Sequence, residues 1–166
     1  MKQLLLFLIL LTSLTLAAQP NFYANYEFGA ADTLRGALSP ARTCFDVTFY
    51  DINLKIDINK QFISGTVDIN YKIEEDFTTL QLDLYENMDI QQITLLGQPL
   101  KFRREYNAVF VDFPIVQKKG SVGGITVTYS GNPIVAKRAP WDGGFIYTER
   151  EAAFALYLCT QHARTT

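Results

Sequence analysis

Apolar and polar positions alternate along most of the chain from residue 43 to residue 131, which is typical of strands that bury one face. The first run is CFDVTFYDINLKIDI, whose apolar positions are Phe45, Val47 and Phe49 and then, shifted in phase, Ile52, Leu54, Ile56 and Ile58. The shift predicts a β-bulge at Phe49 and Tyr50. After a turn at Asn59-Lys60 the alternation resumes in QFISGTVDINYKI, so the two runs predict a long antiparallel hairpin.

Further short runs follow, separated by residues suited to turns: TLQLDLY, MDIQQITLLG, PLKFRRE, NAVFVDF, which ends at Pro114, and GGITVTYSG. No amphipathic helical pattern separates them. Seven or more strands at this spacing predict an all-β fold, an antiparallel β-sandwich.

The two ends of the chain have a different texture. Lys2, the apolar stretch from Leu4 to Leu11 and the small residues up to Ala18 predict a signal peptide over residues 1–18, with an uncleaved anchor as the alternative. We therefore expect an exported protein, periplasmic or extracellular, with no membrane attachment after cleavage. Residues 19–42 are expected to form an N-terminal arm, residues 43–148 the sandwich, and residues 149–166 a truncated or aberrant connector.

Composition narrows the class of protein. Of 166 residues, 48% are hydrophobic and 19% charged, which is enough apolar material for one globular core. The formal charge of −2 gives no basic surplus, so no nucleic-acid partner is expected. Cys44 and Cys159 either pair, which would stabilise the fold by about 4–5 kcal/mol on the chain-entropy model, or remain two thiols.

Catalytic chemistry has little to build on in this sequence. His162 is the single histidine, and no H-E-x-x-H or Cys-x-x-Cys is present. Its spacing from Cys159 is read as incidental. Ser64 is not in a G-x-S-x-G setting, and Gly65 beside it is explained by a turn. We predict no catalytic residue, no metal site and no cofactor in this chain, which should be inactive alone.

The stretch RAPWDGGF holds the single tryptophan, Trp141. It has two interpretations. Trp141 forms an exposed aromatic platform for recognition, or it packs at the end of the core while Asp142, Gly143 and Gly144 turn the chain.

Several of these segments together resemble the N-terminal domain of zinc aminopeptidases of the aminopeptidase N and leukotriene-hydrolase group, peptidase family M1. In the first hairpin the matching positions are Tyr50-Asp51, Leu54, Ile56, Phe62, Gly65 and Val67. The later segments NMDIQQITLLGQPLKF and ITVTYSGNPIVAKRAPWDGGFIYTE are similar to bacterial secreted members. The resemblance covers residues 42 to 148.

The resemblance implies a saddle-shaped sandwich that packs on a thermolysin-like catalytic domain, walls the active-site cleft and helps to hold the peptide N-terminus. In that family the catalytic domain carries the zinc on H-E-x-x-H, which is absent here, so the chain looks truncated before it. The implied partners are that missing domain of the same polypeptide and a peptide substrate. By the resemblance of YLCTQHAR, Gln161 is the candidate residue that touches the substrate's first residue.

A second hypothesis treats the chain as a free-standing secreted β-sandwich that binds a glycan or a protein through Trp141 and nearby aromatic residues. Tyrosine and tryptophan side chains aligned on one solvent-facing surface would favour it.

Overall fold

The computed structural model describes residues 27–138 and 143–147. Two short helices come first, α1 (Ala30–Gly36) and α2 (Pro40–Thr43). The strands are β1 (Phe45–Asp57), β2 (Phe62–Ile73), β3 (Phe77–Asp83), β4 (Met88–Leu95), β5 (Gln98–Pro99), β6 (Lys101–Glu105), β7 (Ala108–Gln117) and β8 (Val122–Gly131). Neither described helix is long or apolar enough to cross a membrane.

The strands form two antiparallel sheets that confirm the predicted all-β sandwich. The large sheet has the order β1-β2-β8-β4-β5, and the small sheet has the order β3-β7-β6. Alternate residues of both sheets share one buried cluster: Ile69, Tyr71, Ile73, Phe77, Leu80, Ile93, Val109, Val111, Phe113, Ile125 and Val127, with Cys44 at its end. The alternation of the sequence therefore does select the core-facing side of each strand.

Aromatic rings fill one end of this core. Tyr71 is 1% exposed, with Phe45 edge-on at 5.5 Å between ring centroids and Phe77 tilted at 6.4 Å. Phe113 continues the series, edge-on to Phe77 at 5.4 Å. The hydroxyl of Tyr71 is buried and makes no hydrogen bond within the described part of the chain. The ring is thus held by packing alone.

The predicted bulge in β1 exists, but it lies one position earlier than expected. The pairing with β2 shifts between Val47 and Phe49, which leaves Thr48 as the extra residue, its hydroxyl donating to the Asn70 carbonyl at 3.1 Å. Phe49 therefore lies on the outer side of the large sheet, beside Asn70, and the prediction that it shares a face with Phe45 and Val47 is wrong. Tyr50 takes the core-facing side instead.

β7 continues past Pro114, where the sequence predicted its end. The pairing with β3 changes register between Phe77 and Thr79, opposite the segment around Pro114. A proline has no N–H for the ladder, and a bulge is a place where a strand tolerates this loss. The strand consequently reaches Gln117.

The segment that contains α1 and α2 contacts β3 of the small sheet through polar groups. The guanidinium of Arg42 forms an ion pair with Asp83 of β3 at 2.8 Å and donates to the Leu34 carbonyl at 2.9 Å. The buried side chain of Gln81 also donates to the Leu34 carbonyl, at 2.9 Å. These contacts hold α1 at the end of β3 without any buried residue in α1 itself.

Candidate docking surface

The two longest strands extend part of the core-facing side of the large sheet beyond the small sheet, and among the described residues this part is incompletely covered. β1 and β2 have 13 and 12 residues, and the strands of the small sheet have 5 to 10. The side chains in question are Tyr50, Ile52, Leu54 and Ile56 of β1, Val67 of β2 and Tyr129 of β8. We call this set the open face.

Exposure is greatest along β1, the strand at the edge of the sheet. Tyr50 is 52% and Ile52 43% exposed, while Leu54 and Ile56 are half-buried. Partial burial raises the pKa of both tyrosine phenols, Tyr50 and Tyr129. Contiguous apolar side chains of this kind on a sheet favour contact with another protein surface, because water is released when they are covered.

The opposite side of the same sheet is mostly polar, although the exposed side chains of Phe49 and Val122 also lie on it. Across β2 and β8 it pairs Ser64 with Ser130, Thr66 with Thr128 and Asp68 with Thr126. The Thr126 hydroxyl donates to the Asp68 carboxylate, and Gln91 of β4 donates to the Ser130 hydroxyl at 2.7 Å. Hydroxyl and carboxylate groups that are hydrogen-bonded to one another on a sheet surface can remain in contact with water. The two sides of the large sheet therefore differ in kind, and the open face is the one suited to docking.

The exposed aromatic residues do not form a single platform. Phe49 and Tyr50 lie on opposite sides of the large sheet, whereas Phe102 belongs to the small sheet. Tyr85 lies in the connection between β3 and β4, and Tyr106 lies in the turn between β6 and β7. The alignment expected of a free-standing binding module is not seen among residues 27–138 and 143–147.

After β8 two described parts of the chain meet at an isolated bridge. Val135 and Phe145 form a parallel bridge, in which the Phe145 amide donates to the Ile134 carbonyl at 2.8 Å and the Ala136 amide to the Phe145 carbonyl at 2.9 Å. The ring of Phe145 stacks on Tyr147 at 6.1 Å. Trp141 itself lies outside the described residues, so both of its interpretations stay predictions.

Only the second of the two glycines beside this bridge is required by the geometry. Gly144 has φ of 148°, and a Cβ there would lie 2.7 Å from the Ala136 nitrogen and 2.7 Å from the Ile134 oxygen. A Cβ at Gly143 would meet nothing within 4 Å. The backbone therefore requires glycine at position 144, whereas position 143 has room for a side chain.

We expect Gly144→Ala to open the bridge, because both atoms that the new methyl group would strike belong to its hydrogen bonds. Amide hydrogen exchange at Ala136 and Phe145 should accelerate by at least about tenfold. Gly143→Ala is the matched control and should leave both rates unchanged. Equal exchange rates in the two variants would contradict the conclusion that the bridge depends on Gly144.

The candidate site residue Gln161 lies outside the described residues, as do Cys159 and His162. Cys44 is buried, and burial raises the pKa of its thiol to about 11. Within residues 27–138 and 143–147, no group of three or more histidine, cysteine, aspartate or glutamate residues could hold a metal ion. The open face is the feature that sequence reasoning missed, although its apolar residues on β1 were recognised as one face.

The structure thus defines the chain as an antiparallel β-sandwich with one partly exposed apolar face. No family model and no curated protein matches the sequence. Among solved structures, the chain is similar to the M1 zinc metallopeptidase of Deinococcus radiodurans, at 23% identity and a TM-score of 0.52 over 57% of this chain and 22% of that one.

Variants of a two-domain M1 zinc metallopeptidase match equally well. The one bound to L-tryptophan has 22% identity and a TM-score of 0.52 over 59% of this chain and 23% of that one. The one bound to L-arginine has 22% identity and a TM-score of 0.53 over 61% and 23%. The fold is therefore one found within M1 zinc metallopeptidases, as the sequence resemblance implied, and the chain spans about a quarter of their length.

Proposed function

We propose that this chain is the non-catalytic N-terminal β-sandwich of an exported zinc metallo-aminopeptidase. In the whole enzyme it docks on the catalytic domain, walls one side of the active-site cleft and helps to hold the peptide N-terminus. The observation that carries the proposal is the open face. Its apolar side chains lie on the core-facing side of the large sheet, where the small sheet no longer covers them.

Docking on this face is favourable for a simple physical reason. Tyr50 and Ile52 together present much of their side chains to water, while Leu54 and Ile56 beside them are half-buried already. Covering apolar surface contributes about 25 cal/mol per Å². The opposite side has less to gain, because most of its side chains are polar and its hydroxyls would lose water on docking.

The fold similarity supports the same proposal, since it extends over about a quarter of each metallopeptidase chain. In this proposal the zinc and the residues that bind it belong to the catalytic domain, where the metal would activate the hydrolytic water. The chain itself shapes one wall of the active-site cleft and helps to position the peptide substrate. Gln161 is the residue proposed to contact the first residue of the substrate.

The first arm of the test asks whether the chain is catalytic alone. Purified chain is expected to hydrolyse no aminoacyl-anilide substrate, with or without added zinc. Zinc-dependent turnover that copurifies with the chain would contradict a purely structural role.

The second arm tests the docking face with a zinc-bearing M1 catalytic domain encoded in the same genome. We expect the chain to bind this domain and raise its aminopeptidase activity. Ile52→Glu puts a charge on the open face and should weaken binding by at least about tenfold. Gln92→Glu adds the same charge on the polar side, as the register with Thr128 shows, and should leave binding unchanged. Equal binding by both variants would refute docking through the open face.

A further inference from the structure

The backbone edge of β1 is a second interaction surface, distinct from the open face and independent of the proposed function. Among the described residues β1 pairs with β2 and with no other strand, so one side of its backbone faces outward. An edge strand with unpaired N–H and C=O groups is a template for another strand. β1 is long, at 13 residues, and carries exposed apolar side chains.

The bulge at Thr48 divides this edge into two parts. From Phe49 to Asp57 the pairing with β2 runs without interruption, which gives nine regular residues. Before the bulge only the short stretch from Phe45 to Val47 remains. A strand that adds to this edge has the nine-residue segment as its regular template.

The nine-residue segment is complementary to itself. If two copies pair antiparallel over its whole length, Asn53 meets Asn53 at a two-fold axis and residue numbers across the axis add up to 106. Asp51 then lies opposite Lys55 of the second copy, and Lys55 opposite Asp51. On the other face Ile52 lies opposite Leu54, and Tyr50 opposite Ile56.

Charge selects this register from its neighbours. In the register whose opposing residue numbers add up to 102, Asp51 lies opposite Asp51 of the second copy. In the register whose numbers add up to 110, Lys55 lies opposite Lys55. A sum of 108 places Asp51 opposite Asp57, and a sum of 104 pairs no opposite charges. Like charges directly across two strands are destabilising, and opposite charges stabilise. The register that uses the full segment also pairs Asp51 with Lys55 on both sides of the axis, and it leaves Asp57 opposite Phe49.

Both charged groups are available for this role. Asp51 and Lys55 are exposed and form no ion pair with any residue of the described ranges. Within one copy Asp51 instead lies opposite Asp68 on β2, which a lysine from a second copy would relieve. Lysine on an edge strand commonly discourages pairing. Here an aspartate four residues away turns it into a complementary group.

We propose that the chain forms a symmetric homodimer through antiparallel pairing of β1 with β1 of a second copy, in the register that places Asp51 opposite Lys55. The two large sheets then form one continuous ten-stranded sheet, five strands from each copy. This two-fold arrangement is the commonest symmetry of homo-oligomers.

Two single charge reversals provide the test, followed by sedimentation equilibrium of the purified full-length chain. In Asp51→Lys, two lysines meet across each side of the axis; in Lys55→Asp, two aspartates meet. Each variant alone is expected to dimerise at least about tenfold more weakly than the natural chain. An equimolar mixture should form the heterodimer with an affinity close to that of the natural homodimer, because every charge again meets its opposite.

Asp46→Lys is the control, since Asp46 precedes the bulge and lies outside the nine-residue segment. It should dimerise like the natural chain. Circular dichroism establishes that each variant has the same strand content. A natural chain that stays monomeric at high concentration would overturn the proposal, as would a dimer indifferent to both reversals. Failure of the mixture to restore the dimer would also overturn it.

Discussion

Gly65→Ala is expected to lower the free energy of unfolding by about 3 kcal/mol, as overpacking against backbone does when nothing can give way. Gly65 lies within β2, opposite Leu54 of β1. A Cβ at this position would fall inside contact distance of the Asn53 carbonyl oxygen, 3.0 Å from the carbonyl carbon and 3.1 Å from the Leu54 Cα. These are backbone atoms of the neighbouring strand, so β1 would have to move away and weaken its pairing.

Urea unfolding followed by circular dichroism measures this loss. Gly36→Ala is the matched control, because Gly36 is exposed at the end of α1 and a Cβ there meets nothing within 4 Å. The control should change the free energy of unfolding by less than about 1 kcal/mol. If both variants were equally stable, the close approach of β1 to Gly65 would be wrong.

Tyr71→Ala should be the most damaging single truncation in the core, lowering the free energy of unfolding by about 4 kcal/mol. The ring is 1% exposed and contacts the rings of Phe45 and Phe77. Tyr71→Phe keeps these contacts and removes the hydroxyl that lacks a partner within the described residues. Because a buried hydroxyl without a partner opposes folding, this variant should be no less stable than the natural chain. A loss above about 1 kcal/mol in Tyr71→Phe would show that the hydroxyl has a stabilising contact.

Comparing Tyr71→Phe with the natural chain also tests how the stability of the fold depends on alkaline pH. Burial raises the pKa of Tyr71 from 10.0 to about 12, with the nearby Cys44 thiol adding to the shift. The folded chain therefore holds this proton more tightly than the unfolded chain. As pH rises from 10 to 12 the unfolded chain loses the proton first, so stability falls across this window. Under reducing conditions the fall should be smaller in Tyr71→Phe, with the part due to Cys44 remaining.

The sequence predicted the strands well because each buries one side, and alternation reports that directly. It placed Phe49 on the wrong face because a slip in phase does not identify which residue is the extra one. In the structure that residue is Thr48, whose hydroxyl bonds the Asn70 carbonyl. Gly65 was explained by a turn, yet it lies inside a strand, since the close approach of β1 leaves no trace in the local pattern.

The candidate site was less accessible to prediction. Alternation identified Ile52, Leu54 and Ile56 as one apolar face but not as an uncovered one. Coverage depends on where the small sheet ends relative to β1, which is a property of the tertiary arrangement. Gln161 was inferred from resemblance alone, and it lies outside the described residues, so its role stays a prediction.

The open face and the β1 edge use the same strand in different ways. The proposed docking of a catalytic domain covers side chains such as Ile52, whereas the proposed pairing with a second copy depends chiefly on the β1 backbone and on the outer charges Asp51 and Lys55. The charge reversals leave the open face intact, and Ile52→Glu leaves both charges in place. Failure of one proposal is therefore distinguishable from failure of the other.

The bulge at Thr48 also limits which substitutions and deletions this strand can accept during evolution. Substituting Thr48 preserves the frame, but deleting it would turn the nine residues that follow by one position. Asp51 and Lys55 would then point into the apolar side, and Ile52 and Leu54 would point outward. Related chains are therefore expected to vary in the identity of residue 48 while keeping the number of residues between Val47 and Phe49 fixed. Length, more than chemistry, is what selection must protect at that position.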